Sequence, residues 1–263
     1  MLVFPQLTTG AIGQFPVVRR RRWTAVNNLL NDGSAVVYSD GSPRTNTWEL
    51  ALRDLTDAEA DAMEKLFDTV EGQRGSFTFL DPTANLLAHT EELDNSCWNK
   101  GPLIQLTPGI DDPLSGNRAV RLINAGQTGQ TLFQTLAAPA WFGYCFSVYA
   151  RSTGGPALSL TRSSSSATHT RLFPLGAGWT RCVLSGALNA TDESLQFALE
   201  LPAGASVDVF GIQVEAQPSA SAYKRTTARN GVYSNARFDT DILDLIDDGP
   251  DQHRFDLTIV AKD

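Results

Sequence analysis

A chain of 263 residues with a formal charge of -8 is long enough for one large core or two ordinary domains, and too long to need disulfide staples. Only 19% of its residues are charged, and 21 Gly and 13 Pro accompany many Ser and Thr, which suits a strand-rich assembly protein better than a helical enzyme. Three cysteines, Cys97, Cys145 and Cys182, are an odd number without metal-ligand spacing and read as reduced, buried thiols of a protein folded in a reducing cytoplasm.

The opening MLVFPQLTTGAIG lacks a basic segment ahead of a long apolar run, and no later stretch approaches the length of an apolar membrane span. Neither a signal peptide nor a membrane span is expected. Val17 to Trp23 reads as a strand, Asn31-Asp32-Gly33 as a turn and Ala35 to Tyr38 as the next strand. Arg19 to Arg22 invite a nucleic-acid reading. Period two weakens it, because Arg19 and Arg21 face one side of a strand while Arg20 and Arg22 face the other.

The best punctuated stretch runs from Trp48 to Pro82. Trp48, Leu50 and Leu52 alternate with Glu49, Ala51 and Arg53, the period of a strand lying over a core. Thr56 with Glu59 three positions later forms a capping box, and Leu55 with Ala60 occupies the staple positions, so a helix starts there. Met63, Leu66, Phe67 and Val70 share one face of it, and Gly72 ends it. Phe77 and Phe79 belong to a short strand that Pro82 closes.

After Pro82 the style changes. Leu103 to Leu106, Ala119 to Ile123, Thr131 to Leu136, Phe142 to Ala150, Ala157 to Thr161, His169 to Phe173, Thr180 to Gly186, Ser194 to Leu199 and Val207 to Val214 are candidate strands separated by Gly, Pro, Asn or Ser, a series that reads as a β-sandwich. Between Thr83 and Arg225 ten acids nearly balance nine Lys or Arg, whereas the rest of the chain holds 19 acids against 12 bases. The acidity therefore belongs to the outer segments. From Thr226 onward Phe238 to Ile246 alternates less cleanly, and Phe255, Leu257 and Ile259 mark a terminal strand. A strand that short must complete a sheet begun before Pro82. The expected organisation is a discontinuous β domain with one packed helix, 1–82 plus 226–263, carrying a sandwich inserted at 83–225.

Catalytic patterns are weak. His89, His169 and His253 are isolated, the Ser163 to Ser166 run lacks a nucleophile elbow, and no GxGxxG, Walker loop, HExxH or CxxC occurs. No enzyme activity is expected. Asp239, Asp241, Asp244, Asp247, Asp248 and Asp251 put six acids in thirteen residues with no base among them, without the spacing of a calcium loop. They read as a solvated loop, or as a charged lining that keeps a passing polyanion from sticking when several copies surround a channel. Glu91, Glu92 and Asp94, with Glu215 at the other end of the sandwich, are candidate ligands for a structural cation such as calcium; no other cofactor is expected. Sugar rings stack on flat aromatic faces. Trp98, Trp141, Tyr144, Tyr149 and Trp179 are the candidates for this. Phe142, Tyr144, Phe146 and Val148 form a core face, which leaves Trp141 and Tyr149 on the opposite one, and Trp179 completes the glycan-binding set.

The outer segments, with W48-E-L, L55, F67, G72, F77-T-F-L-D-P82 and the terminal F255-D-L-T-I, resemble the tail-tip adaptor proteins of tailed bacteriophages, the distal tail family and related minor tail proteins. The resemblance implies a domain built like a tail-tube subunit. It also implies a ring, usually sixfold, between the tail tube and the hub or fibre proteins, with DNA crossing its lumen, assembled in the host cytoplasm and residing at the virion tail tip. The insert, opening N85-L-L-A-H-T-E-E-L-D-N-S-C-W-N-K100 and closing F210-G-I-Q-V-E-A-Q-P-S-A-S-A-Y223, resembles jelly-roll modules similar to carbohydrate-binding modules. By position Glu91, Asp94 and Glu215 then correspond to acids that hold the ends of such a module together or bind a cation, and host-surface glycans are the implied ligand. Two alternatives stand beside this reading. One is a free-standing glycan-binding protein or glycan-degrading enzyme, which would need two carboxylates about 5 to 9 Å apart in an open groove. The other is a virion protein whose insert binds no ligand.

Overall fold

The structure is a computed structural model that describes residues 1–39, 41–155 and 157–262. The chain is mainly β and divides into two compact units. One comprises residues 2–7, 13–79 and 233–263, and the other residues 8–12 and 80–232 together with Met1. Residues 226–232 thus lie with the sandwich unit.

In chain order the first elements are β1 (Val18–Arg22), β2 (Ala25–Leu29), β3 (Ala35–Ser39), β4 (Thr45–Leu55), α1 (Asp57–Val70) and β5 (Phe77–Leu80). The inserted sandwich holds β6 (Asn99–Lys100), β7 (Ile104–Ile110), β8 (Ala119–Asn124), β9 (Gln130–Leu136), β10 (Tyr144–Arg151), β11 (Ala157–Ser163), β12 (Thr168–Pro174), β13 (Thr180–Gly186), β14 (Leu195–Leu201) and β15 (Ser206–Glu215). The chain ends with β16 (Val232–Phe238), β17 (Ile246–Gly249) and β18 (Gln252–Lys262).

In the outer unit the strand order is β1-β4-β18-β16-β5, with β17 hairpinned onto β18. The terminal strand completes a sheet begun by the first segment, because Trp48, Leu50 and Leu52 on β4 lie opposite Ile259, Leu257 and Phe255 on β18. Both sets are buried. Against this face packs α1, whose Ala60, Met63, Leu66 and Val70 are buried. Its start is fixed by reciprocal bonds, Glu59 N–H to Thr56 Oγ1 at 3.3 Å and Thr56 N–H to Glu59 Oε2 at 2.9 Å. Its end is set by Glu71 and Gly72, both at positive φ (54° and 63°). A Cβ on Gly72 would meet Asp241 Oδ1 at 2.6 Å, so glycine is required there for space as well as for φ. Trp48 lies edge-on to Phe79 (5.1 Å) and to Tyr233 (4.7 Å), and Phe77 meets Phe238 at 4.9 Å.

The less regular alternation from Phe238 to Ile246 does not mark one strand. The sheet strand β16 ends at Phe238, Asp239 N–H still donates to the Thr258 carbonyl at 2.9 Å, and residues 240–245 leave the sheet, Asp241 Oδ1 turning back to accept Gln73 N–H at 2.8 Å. A strand that sequence reading passed over, β2, pairs with β3 through a turn in which Asp32 Oδ1 accepts Ser34 N–H at 2.9 Å. Among the described residues this hairpin forms its own two-stranded sheet.

The sandwich consists of two five-stranded sheets, β13-β10-β15-β8-β7 and β12-β11-β14-β9-β6, paired antiparallel throughout. Its core is aromatic at the centre, with Tyr144 and Phe146 of one sheet edge-on to Phe197 of the other at 5.6 and 5.5 Å. Tyr144 survives there because its hydroxyl donates to the Pro139 carbonyl at 2.8 Å. The two chain crossings at the base of the insert are neighbours, since β5 and β16 are adjacent in the outer sheet and Asp81 N–H donates to the Gly231 carbonyl at 2.8 Å.

Candidate functional site

The site is built on the sheet face opposite the core. Along β10, Tyr144, Phe146, Val148 and Ala150 point inward, so Cys145, Ser147, Tyr149 and Arg151 take the outer face. The upper half of that face is covered by the returning chain: Gln213 Oε1 accepts Lys224 N–H at 2.7 Å, and Tyr223 lies against Phe210 with ring centres 5.0 Å apart. Its lower half, around Tyr149 and Arg151, remains accessible.

Register then assembles what separate strands supply. Arg151 lies opposite Asp208, Asp208 opposite Arg121, and Arg121 opposite Thr107. Trp179 precedes Thr180, the partner of Ala150, and Arg151 stacks on its ring at 4.7 Å. One row across the sheet therefore reads Trp179, Arg151, Asp208, Arg121. The next holds Arg181 over Tyr149 (5.1 Å) and Arg118 over Phe210 (5.0 Å).

Asp208, 8% exposed, accepts Arg121 Nε at 2.7 Å, Arg121 Nη2 at 3.1 Å and Arg151 Nε at 3.0 Å. Burial alone would raise its pKa, but the two guanidiniums outweigh burial and hold the carboxyl below the usual aspartate range. Arg121, Arg151, Ser152, Thr153, Ala177, Ser206 and Asp208 line a depression of about 290 Å³. A larger one, about 410 Å³, lies at the Ser163–Ser165 loop, where Asp192 is engaged by the Ser165 and Ser166 hydroxyls; no aromatic lines it.

Of the glycan candidates, the structure brings Tyr149 and Trp179 onto one face, each under an arginine, and leaves Trp141 apart. Trp141 is 41% exposed in the turn before β10, edge-on to Phe142 and at the opposite end of that strand from Arg151. Trp98 is a core residue whose indole donates to the His89 carbonyl at 3.0 Å. Sequence reading missed Arg121, Arg151 and Asp208. The available signal was alternation: Arg151 shares the face of Tyr149, and Asp208 stands between the inward Val207 and Val209.

No protein-family model matches the chain, and no curated protein matches it. Among solved structures, the xylan-binding domain from Paenibacillus barcinonensis is 14% identical, covering 54% of this chain and 99% of that one at a TM-score of 0.43. The module TmCBM61, solved with β-1,4-galactotriose, is 14% identical over 49% of this chain and 97% of that chain, with a TM-score of 0.40. The enzymatically active domain of bacteriophage CBA120 tailspike protein 4 is 12% identical, with a TM-score of 0.42; the match spans 52% of this chain and only 22% of the tailspike chain.

The acidic candidates are placed differently from their expected roles. Glu91 pairs with Arg225 at 3.0 Å and Arg118 at 3.3 Å, while Glu215 is buried and takes Lys224 Nζ at 2.8 Å and Ser221 N–H at 3.0 Å. Burial pushes the Glu215 carboxyl up, but these donors outweigh it and hold the group below its ordinary value. Asp94 is exposed. The structure does not gather Glu91, Asp94 and Glu215 into a calcium site: among the described residues no group of three or more His, Cys, Asp or Glu is placed to hold a metal ion.

The acid-rich segment is largely spent within its own unit. Asp241 caps Gln73, Asp247 bonds His253 Nδ1 at 2.7 Å, Asp248 pairs with Arg254 at 3.3 Å, and Asp251 accepts Asp57 N–H at 2.7 Å. Asp239 and Asp244 stay exposed. The arginine run divides as period two requires. Arg19 stacks on Trp48 at 5.4 Å and donates to the Tyr233 hydroxyl, whereas Arg20 and Arg22 take the open face with Arg237 and Lys262, at the register Arg20–Thr47–Val260–Arg237 and Arg22–Thr45–Lys262. Among the described residues no helix is long and apolar enough to cross a membrane.

Proposed function

We propose that this chain is a structural subunit of a bacteriophage tail tip, whose outer unit closes into a ring and whose sandwich binds sugars on the host surface. The observation that carries the binding half is the row Trp179, Arg151, Asp208, Arg121 across an accessible sheet face. It combines a flat aromatic surface with fixed hydrogen-bonding forks beside a depression, the components by which proteins hold a sugar ring and its substituents. Each site is small, and a ring multiplies it by copy number.

The assembly half is supported by β2 and β3. A lone two-stranded hairpin is marginal in water. This one exposes Leu29 (81%), Val37 (64%), Val36 and Tyr38, with Trp23 (67%) at its base. The partner we assign is a second copy, on charge: the hairpin springs from the exposed Arg22, two positions after Arg20, which is paired with Glu49, and the same unit exposes Asp239 and Asp244 elsewhere. A head-to-tail contact between two different surfaces of one subunit generates a ring when the rotation closes. Six copies, a DNA-conducting lumen and tail-tube and hub or fibre proteins as neighbours follow from the sequence resemblance. The proposed role is binding and structural, with no reaction assigned.

A glycan array probed with the intact chain tests the binding half. Binding to a defined set of glycans, lost on Trp179→Ala, is expected; an intact chain that binds none of them would overturn it.

A further inference from the structure

The depression beside Trp179 is rich in donors and poor in acceptors. Two guanidiniums and one carboxylate line it, and no other charged side chain does, so the site has one positive charge in excess. A carboxylate offers about four lone-pair positions. Three at Asp208 are already filled by Arg121 Nε, Arg121 Nη2 and Arg151 Nε. Asp208 therefore has little capacity left for the hydroxyls of a neutral sugar.

Its effect is instead to fix both guanidinium planes. Because Asp208 takes the Nε of Arg151, the two Nη groups of that residue stay unspent beside the depression, and Arg121 keeps Nη1. The side chains are 28% and 44% exposed, open enough to meet a ligand yet held by a nearly buried anchor. Pre-organised forks of this kind match a carboxylate or sulfate far better than they match a hydroxyl. Trp179 lies against the same guanidinium, so a charged substituent placed on Arg151 brings its sugar ring alongside an indole. At about 290 Å³ the space is that of a terminal unit rather than of a bound chain.

We propose that the ligand of this face is an acidic sugar, with its carboxylate or sulfate on the free Nη groups of Arg151 and Arg121 and its ring beside Trp179. The inference rests on the glycan reading above and narrows it to one ligand class. The contrast within the sandwich is direct, since the larger depression carries Asp192 and Glu193 with no arginine in its lining and does not suit an anion.

Calorimetric titration of the intact chain with three probes tests it: an oligogalacturonate, the same oligomer as its methyl ester, and inorganic sulfate. The oligogalacturonate is expected to bind, the ester to bind at least about tenfold more weakly, and sulfate alone more weakly than either, because it has no ring. Arg151→Gln is expected to remove the preference for the acid. Equal binding of acid and ester would overturn the acidic-sugar inference while leaving the glycan reading in place. Sulfate matching the oligomer would overturn it by showing an anion site that ignores the sugar. If neither oligomer binds and the sugars bound on an array are neutral, the acidic class is wrong; if no sugar binds, the glycan reading fails with it. The ester comparison uses the unaltered protein, so the outcome does not depend on how Arg151→Gln folds.

Discussion

Asp251 holds the first free N–H of the helix, that of Asp57, at 2.7 Å across 194 positions of sequence. The acid-rich segment near the C-terminus is thereby tied to the start of α1, while Asp241 in the same segment caps the turn after its end. An anionic acceptor at a helix N-terminus satisfies an orphan donor and meets the positive end of the helix dipole.

The cost of losing this clasp can be measured with Asp251→Ala. Asp251 has φ of 55° and already carries a Cβ in the left-handed region, so alanine removes the acceptor and keeps that Cβ. A loss of about 1 kcal/mol in a denaturant titration is expected. Asp251→Gly is expected to lose less, because glycine adopts this φ without strain. Equal stability of Asp251→Ala and the parent would show that the clasp contributes nothing.

A second clasp makes stability depend on pH. His253 Nε2 bonds Asp57 and Nδ1 bonds Asp247, both at 2.7 Å, and these carboxylates raise its pKa above 6.5. A group whose folded pKa is raised stabilises the fold fully below its unfolded value. The contribution is therefore complete below about pH 6.5. It is lost as pH rises through the higher folded value. In His253→Gln that fall should disappear from the stability profile; an unchanged profile would place the dependence elsewhere.

Arg162 is buried in the sandwich, with carbonyls and the His169 Nδ1 (3.2 Å) for partners. Its guanidinium donates to the carbonyls of Gly186, Ala187 (3.1 Å) and Tyr144 (3.4 Å), and burial pulls its pKa below the usual arginine value. Arg162→Met orphans those carbonyls and is expected to cost about 1–3 kcal/mol, read by chemical denaturation. A more stable variant would mean that relief of the buried charge outweighs the lost bonds.

The hairpin prediction separates folding from assembly. Leu29 and Val37 are exposed, so Leu29→Asp with Val37→Asp should change stability by less than about 0.5 kcal/mol. Sedimentation at high concentration, or with the neighbouring tail proteins added, should show that the pair abolishes association. Unimpaired assembly would remove the hairpin from the interface.

What could be read from sequence was what is local. The Thr56–Glu59 box fixed the helix start because both residues lie in one turn, and the alternation from Phe142 to Ala150 gave the core face because a strand has period two. What escaped was assembled by register. Arg121, Arg151 and Asp208 come from three strands and form a unit only once β10, β15 and β8 are aligned. The role of Asp241 and Asp251 was hidden for the same reason, since their partners, Gln73 and Asp57, lie far away in sequence. Asn27 and Asn28 disguised β2, as both are poor strand formers.

Electron microscopy of an assembled phage particle, with the sandwich labelled by an antibody fragment, is the most direct measurement of the central claim. The account predicts a closed ring of this chain at the tail tip, the label decorating its outer surface. A tail tip without such a ring, or a particle that lacks the chain altogether, would contradict it.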